Sequence, residues 1–149
     1  MSMKTFITIL LIAVSSTFFG QEYNLKQGYL AEGYDVVSYF SNRAEKGDKE
    51  FTTTHNAVKF KFSSKKNLDT FKSAPNKYIP AYGGYCAYAL GTKGKRVAIN
   101  PETFEIRDGK LYLFYNSWGI NTFKMWQEEG AEQLKAKADK NWIKIKKEK

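Results

Sequence analysis

The stretch that organises this chain runs from Asn76 to Ala89 and reads NKYIPAYGGYCAYA. It contains the only cysteine of the chain, Cys86, together with two adjacent glycines and four tyrosines. Paired glycines let a backbone turn sharply or approach another group closely. The small residues around Cys86 then allow close contact, so we expect tight packing here. The stretch specifies no reaction.

The composition indicates one globular domain with a strongly basic surface. A chain of 149 residues can bury a real hydrophobic core, and an aromatic content of 16% argues against disorder. The formal net charge of +9 attracts anions, including lipid headgroups and acidic polymers. An anionic envelope component is therefore a possible partner. Specific nucleic-acid binding is not expected, because the pattern of arginine and aromatic residues typical of such proteins is missing.

The first twenty residues have the order of a secretory signal peptide. Lys4 is the only charge, an apolar run from Phe6 to Val14 follows, and small and polar residues lead to Gly20. The apolar run is too short to cross a bilayer. We therefore predict export, to the periplasm or the extracellular space, of a mature chain with no transmembrane segment. The cleavage site is left open.

Local patterns divide the mature chain into a lead-in segment (21–32), one domain (33–145) and a basic tail (146–149). The predicted elements are an extended segment at 36–40, a hairpin of 51–55 and 58–62 around Asn56-Ala57, a helix from Ser63 or Ser64 to Ala74, a short helix at 85–90, an exposed loop at 91–96, a hairpin around Asp108-Gly109, a helix from Trp118, and a second helix at 131–140. These elements predict an α+β fold, with two β-hairpins in a small antiparallel sheet and helices packed on one side.

Several motifs in this order resemble the YHS domain family. They are GYDVVSYF at 33–40, FKFSS at 60–64 with Phe71 downstream, and PNKY at 75–78. Further motifs resemble the exported bacterial subgroup of that family, which includes selenoproteins: YGGYCA at 82–87, DGKLYL at 108–113 and ADKNW at 138–142. The resemblance covers nearly the whole mature chain.

The resemblance implies one metal site that this chain lacks and one position of interest. Some YHS domains carry cysteines that look like metal ligands, at positions that here read Ser38, Ser63 and Asn67. Hydroxyl and amide groups do not replace thiolates for soft metals, so that site is absent. Cys86 is similar to a position that some members fill with selenocysteine, which implies a redox or soft-metal role.

Two interpretations of Cys86 remain open from the sequence. A thiol after two glycines and at a helix start can meet several backbone N–H groups, which lower its pKa. Alternatively, it is an inert packing residue, because cysteine is among the most buried residue types. The only histidine, His55, is either a surface or cross-strand residue or a second metal ligand, and two ligands alone leave a zinc or copper site incomplete.

We therefore predict an exported, non-catalytic YHS-type module that binds a metal ion or small ligand near Cys86. The predicted ligand-binding residues are Tyr82, Gly83, Gly84, Tyr85 and Cys86, the predicted metal ligands are Cys86 and His55, and the candidate cofactors are copper, zinc and haem. The alternatives are a single-cysteine thiol redox protein and a structural envelope domain that meets anionic partners through its lysines. No catalytic residue is assigned, because no phosphate loop, carboxylate pair or serine nucleophile elbow is present.

Overall fold

A computed structural model describes residues 22–148 of the chain. The predicted signal peptide, 1–20, lies outside the described residues. Helices and small sheets alternate along the described part of the chain, and the predicted α+β class is confirmed.

The main sheet has four strands in the order β1-β2-β4-β3. They are β1 Leu25–Lys26, β2 Tyr29–Leu30, β3 Asp48–His55 and β4 Val58–Phe62. β3 and β4 form the predicted antiparallel hairpin, whereas β2 pairs with β4 in parallel through Tyr29 and Lys59. The lead-in segment thus contributes two strands to the sheet.

The first hairpin follows the alternation of its sequence. Val58, Phe60 and Phe62 are buried, while Lys59 points to solvent. The turn residues Asn56 and Ala57 both adopt positive φ, at 50° and 65°. A two-residue turn with this twist suits a hairpin, although alanine adopts it at some cost.

The remaining strands form two small hairpins. β5 Asn100–Arg107 pairs with β6 Lys110–Phe114 around Asp108-Gly109, which confirms the second predicted hairpin. β7 Asn116–Ser117 pairs with β8 Ile120–Asn121. The helices are α1 Lys65–Ser73, α2 Pro75–Tyr78, α3 Ala87–Lys93, α4 Thr122–Glu129 and α5 Ala131–Lys146. Ser64 caps α1, because its hydroxyl accepts a hydrogen bond from Asn67 N at 3.1 Å.

Three predicted elements differ in the structure. The 36–40 segment is not extended, but forms turns that lead into a 3₁₀ helix at Ser38–Ser41. The predicted loop at 91–96 is helical up to Lys93, where α3 ends. The predicted helix from Trp118 begins only at Thr122, because 116–121 form the third hairpin.

Cys86 lies where two hydrophobic clusters meet. One cluster is built on the main sheet and contains Phe60, Phe71 and Cys86. The other contains Ala87 and Trp126 and packs α3 against α4, α5 and β6. The backbone passes from the first cluster to the second between Cys86 and Ala87. No helix among residues 22–148 is long and apolar enough to traverse a lipid bilayer.

Candidate functional site

The paired glycines hold the N-terminal segment against the domain. Gly83 O accepts a hydrogen bond from Asn24 N at 2.8 Å, and Gly84 O accepts one from Asn24 Nδ2 at 3.1 Å. Tyr82, Gly83 and Gly84 all have positive φ. A Cβ atom on Gly83 would stand only 1.9 Å from the carbonyl oxygen of Glu22. Close approach of the Glu22 backbone therefore explains Gly83, and the positive φ of 81° together with the nearby Leu30 side chain explains Gly84, without a ligand.

Tyr82 and Tyr85 also join distant parts of the chain. The Tyr82 hydroxyl donates to Asp139 Oδ1 at 2.8 Å, and the Tyr85 hydroxyl donates to Tyr23 O at 3.3 Å. Burial, and after it the hydrogen bond to Asp139, raise the pKa of Tyr82 well above its ordinary value. Tyr82 and Gly83 line a cavity of about 390 Å³ that also includes Trp142. Cys86 is not among the residues that line this cavity.

Three polar contacts fix Cys86. Its N–H donates to Val97 O at 3.0 Å, and its sulfur accepts from Tyr115 N at 3.3 Å. Its Sγ atom also lies 3.4 Å from Thr122 Oγ1. Because the Thr122 hydroxyl donates its one proton to Tyr115 O, the thiol S–H is the donor in the Cys86–Thr122 contact. The surroundings therefore satisfy the protonated thiol as both donor and acceptor.

A second cavity, of about 370 Å³, lies beside this thiol. Its walls come from α3 and the residues on either side of it, from α4 and β8, and from the segment after β6. The lining residues are Cys86, Tyr88, Ala89, Thr92, Lys93, Val97, Tyr115, Ile120, Thr122 and Met125. The volume would hold roughly a dozen water molecules and falls in the range of small-molecule sites. We call it the Cys86 cavity. Cys86 borders the cavity, although the residue itself exposes 0% of its surface to water.

The polar groups around the Cys86 cavity are few. Lys93 is exposed to solvent, so its charge lies at the rim. Tyr88 also lines the cavity, and burial, followed by its hydrogen bond to Glu129, raises the pKa of Tyr88 to about 12. Tyr88 is therefore neutral at ordinary pH. The interior is mainly apolar, and a positive charge stands at its mouth.

His55 lies elsewhere in the fold. It ends β3, and its ring packs edge-on against Phe71 with the centroids 6.0 Å apart. His55 Nε2 is buried and has no hydrogen-bond partner among the described residues. The structure does not place His55 in the wall of the Cys86 cavity. Residues 22–148 contain no group of three or more His, Cys, Asp or Glu side chains able to hold a metal ion.

Ser38, Ser63 and Asn67 meet at the buried carboxylate of Asp35. Ser38 N donates to Asp35 Oδ1 at 3.2 Å, and Asn67 Nδ2 donates to Asp35 Oδ2 at 2.7 Å. Ser63 donates to Asp35 Oδ2 through its N–H at 2.9 Å and its hydroxyl at 2.7 Å. A further N–H, from Val37, reaches Oδ1 at 2.8 Å. Five N–H and O–H donors therefore satisfy this buried carboxylate.

Sequence reasoning found the cysteine but missed most of the cavity around it. Tyr115, Thr122 and Met125 follow Cys86 by about thirty to forty positions, and no local pattern connects them to it. One available signal was Thr122, a residue that can cap or begin a helix and that follows a hairpin. Of the five predicted ligand-binding residues, only Cys86 lines this cavity.

Comparison of the chain with protein-family models, curated proteins and solved structures gives no match. The assignment to the YHS family therefore stays a prediction from the motifs.

Proposed function

We propose that this chain is an exported, non-catalytic binding module of the YHS type, and that its ligand is a small, largely apolar molecule in the Cys86 cavity. The observation that carries the proposal is the cavity of about 370 Å³ that Cys86 borders. Most small-molecule sites combine apolar walls with a few well-placed polar groups.

The lining of the cavity describes the ligand that it suits. Val97, Met125 and Ala89 offer apolar contact, and the Thr122 hydroxyl lies in the wall beside the Cys86 thiol. Lys93 at the rim favours a negatively charged or polar end on the ligand. The best-suited ligand has an apolar body that lies against Cys86 and a polar end that faces outward.

Binding of an uncharged fluorescent probe, N-phenyl-1-naphthylamine, tests the cavity. The variant Ala89→Leu fills part of the Cys86 cavity, and Ala81→Leu makes the same change in the other cavity. We expect the wild type and Ala81→Leu to bind the probe equally, and Ala89→Leu to bind about tenfold more weakly or worse, which corresponds to about 1.4 kcal/mol. Thermal unfolding of each variant verifies that it is folded. Equal binding by folded Ala89→Leu would refute the proposal.

A second candidate ligand, Cu(I), is favoured by one specific observation. Cys86 and Met125, a thiol and a thioether, line the same cavity. Such soft sulfur donors select Cu(I), whereas a zinc site uses three or four protein ligands from cysteine, histidine or carboxylate side chains. Among the predicted cofactors, copper therefore fits the donors of this cavity better than zinc does.

Calorimetric titration separates the metal candidates. Cu(I), Zn(II) and haem are titrated into the wild type, Cys86→Ser and Met125→Leu. We expect Cu(I) to bind the wild type and to lose at least about tenfold in affinity in each variant. Cu(I) affinity that is unchanged in Cys86→Ser, or the absence of Cu(I) binding to the wild type, would eliminate this candidate and leave the apolar ligand unaffected.

A further inference from the structure

The tip of the β7–β8 hairpin presents a large aromatic side chain to solvent. Trp118 is 95% exposed, and Ile120, two residues further on, is 50% exposed. The other two tryptophans differ, because Trp126 is fully buried and Trp142 is partly buried. Exposed tryptophan on a short turn is unusual for a residue with so much apolar surface.

The fold holds this tip in place. Asn116 pairs with Asn121 across the hairpin, and Thr122 N donates to Tyr115 O at 3.0 Å directly below it. Asn116 is itself fixed, because its O accepts from Asn100 Nδ2 at 3.2 Å and its Nδ2 donates to Thr103 Oγ1 at 3.1 Å. The exposure of Trp118 is therefore built into a hydrogen-bonded hairpin.

The turn places Trp118 in a backbone conformation that is energetically unfavourable for a residue with a side chain. Trp118 has a φ of 54°, in the left-handed region that favours glycine or asparagine, and Gly119 follows with a φ of 76°. A tryptophan gives this turn no advantage over asparagine, which is the usual residue there. The choice of tryptophan therefore requires a reason outside the fold.

Positive charge accompanies the exposed apolar tip. Lys124 lies in the first turn of α4, where its N–H is capped by Asn121 Oδ1 at 3.2 Å. Lys93 lines the Cys86 cavity together with Ile120, so it lies on the same side of the domain. Glu129, at the C-terminal end of α4, interacts with the Tyr88 hydroxyl. The tip thus combines an aromatic ring, an aliphatic side chain and lysines.

From these observations we infer that the β7–β8 hairpin docks the protein onto an anionic lipid surface, with Trp118 at the level of the headgroups. Tryptophan favours the boundary between headgroups and acyl chains, because one part of the ring system is apolar and its N–H is polar. Lysines beside it add attraction to anionic lipids. The apolar surface of Trp118 and Ile120 is small for an interface with a protein partner, but it is sufficient for an anchor at a lipid surface. This inference rests on the exposure of Trp118, which is not part of the Cys86 cavity, although Ile120 and Lys93 also line that cavity.

Sedimentation with vesicles tests the inference. The protein is mixed with vesicles of phosphatidylglycerol and phosphatidylcholine, and with vesicles of phosphatidylcholine alone. We expect binding to the anionic vesicles that weakens with salt, and a loss of about tenfold or more in the partition coefficient for Trp118→Ala. Ile143→Ala is the matched control, because Ile143 is 61% exposed but lies on α5. We expect this control to bind like the wild type.

Tryptophan fluorescence gives a second readout on the same samples. We expect a blue shift of the wild-type emission on anionic vesicles, and no such shift in Trp118→Ala. Lys124→Gln, which leaves the tip intact, should weaken binding to anionic vesicles only. Equal vesicle binding by wild type and Trp118→Ala would overturn the inference. Failure of the wild type to bind anionic vesicles would also overturn it. A protein partner for Trp118 would give that result.

Discussion

The backbone of Gly83 touches that of Glu22 so closely that a Cβ atom on Gly83 would stand 1.9 Å from the Glu22 carbonyl oxygen. The glycine pair that attracts attention in the sequence is thus a docking site for the chain's own N-terminal segment. The proposed ligand site is the Cys86 cavity, whose lining includes Thr122 and Met125 but neither glycine.

Replacement of Gly83 by alanine should destabilise the fold strongly. Gly83→Ala adds a clash with the Glu22 backbone to the cost of a φ of 60°, so we expect the free energy of unfolding to fall by about 2–4 kcal/mol. The matched control is Gly119→Ala, where φ is 76° but no atom lies within 4 Å of the added methyl, and here we expect a loss of about 1 kcal/mol. Urea unfolding measures both. Equal losses would show that the contact with Glu22 contributes nothing.

Replacement of Asp35 by asparagine should expose the dependence of the fold on its buried carboxylate. In Asp35→Asn, an NH₂ group must face some of the N–H and O–H donors of Ser38, Ser63 and Asn67. We expect a loss of about 2–4 kcal/mol in the free energy of unfolding. Asp69→Asn, which removes only an exposed pair with Lys65, should cost about 0.5 kcal/mol or less. Similar small losses in both variants would contradict this account of the Asp35 network.

Buried tyrosines should make the protein less stable at high pH. Burial raises the pKa of Tyr39 and of Tyr82 well above the ordinary value of 10.0. Below pH 10 both the folded and the unfolded states keep these protons, so the two tyrosines do not change the free energy of unfolding with pH. Above pH 10 the unfolded chain releases protons that the folded chain retains, and stability falls by up to about 1.4 kcal/mol per pH unit for each tyrosine.

The variant Tyr82→Phe checks this sign. It should cost about 1 kcal/mol at neutral pH, because the hydrogen bond to Asp139 is lost, but its stability should fall less steeply between pH 10 and pH 12. Urea unfolding across that pH range measures the two slopes. Parallel curves for the variant and the wild type would contradict the assignment of the alkaline loss to Tyr82.

The elements that could be predicted are those that local chemistry determines. Alternation places Phe60 and Phe62 in the core, Asp108-Gly109 closes a hairpin, and Ser64 caps a helix, and none of these depends on distant residues. The segment at 36–40 was mispredicted because β-branched and aromatic residues favour a strand. There, Asp35 side-chain bonds to the following N–H groups stabilise a turn instead.

The candidate site could be predicted only in part, because it depends on contacts between residues that are far apart in the sequence. Ile120, Phe123 and Trp126 have helical spacing, which extends the apparent helix back over a hairpin whose turn starts with tryptophan at positive φ. The Cys86 cavity depends on contacts between α3, β8 and α4, and its Thr122 contact spans 36 positions. Such contacts leave no periodic pattern in a single sequence.

The redox alternative and the binding proposal differ in the pH dependence of thiol alkylation. A redox thiol should react with a midpoint clearly below the value near 8.5 of a free cysteine. The binding proposal requires no ionised thiol, because it uses Cys86 only as a residue that borders a mainly apolar cavity. A low midpoint in the native protein would favour the redox alternative.

The most direct test of the ligand site is the rate at which N-ethylmaleimide modifies Cys86 in the native protein, with and without saturating N-phenyl-1-naphthylamine. Cys86 borders a cavity but has no exposed surface, so its reaction requires a local opening of the cavity wall. We expect this opening to be more frequent than unfolding of the whole protein, and we expect the probe to slow the reaction about tenfold or more. Modification at only the rate of global unfolding, unchanged by the probe, would contradict a ligand site at Cys86.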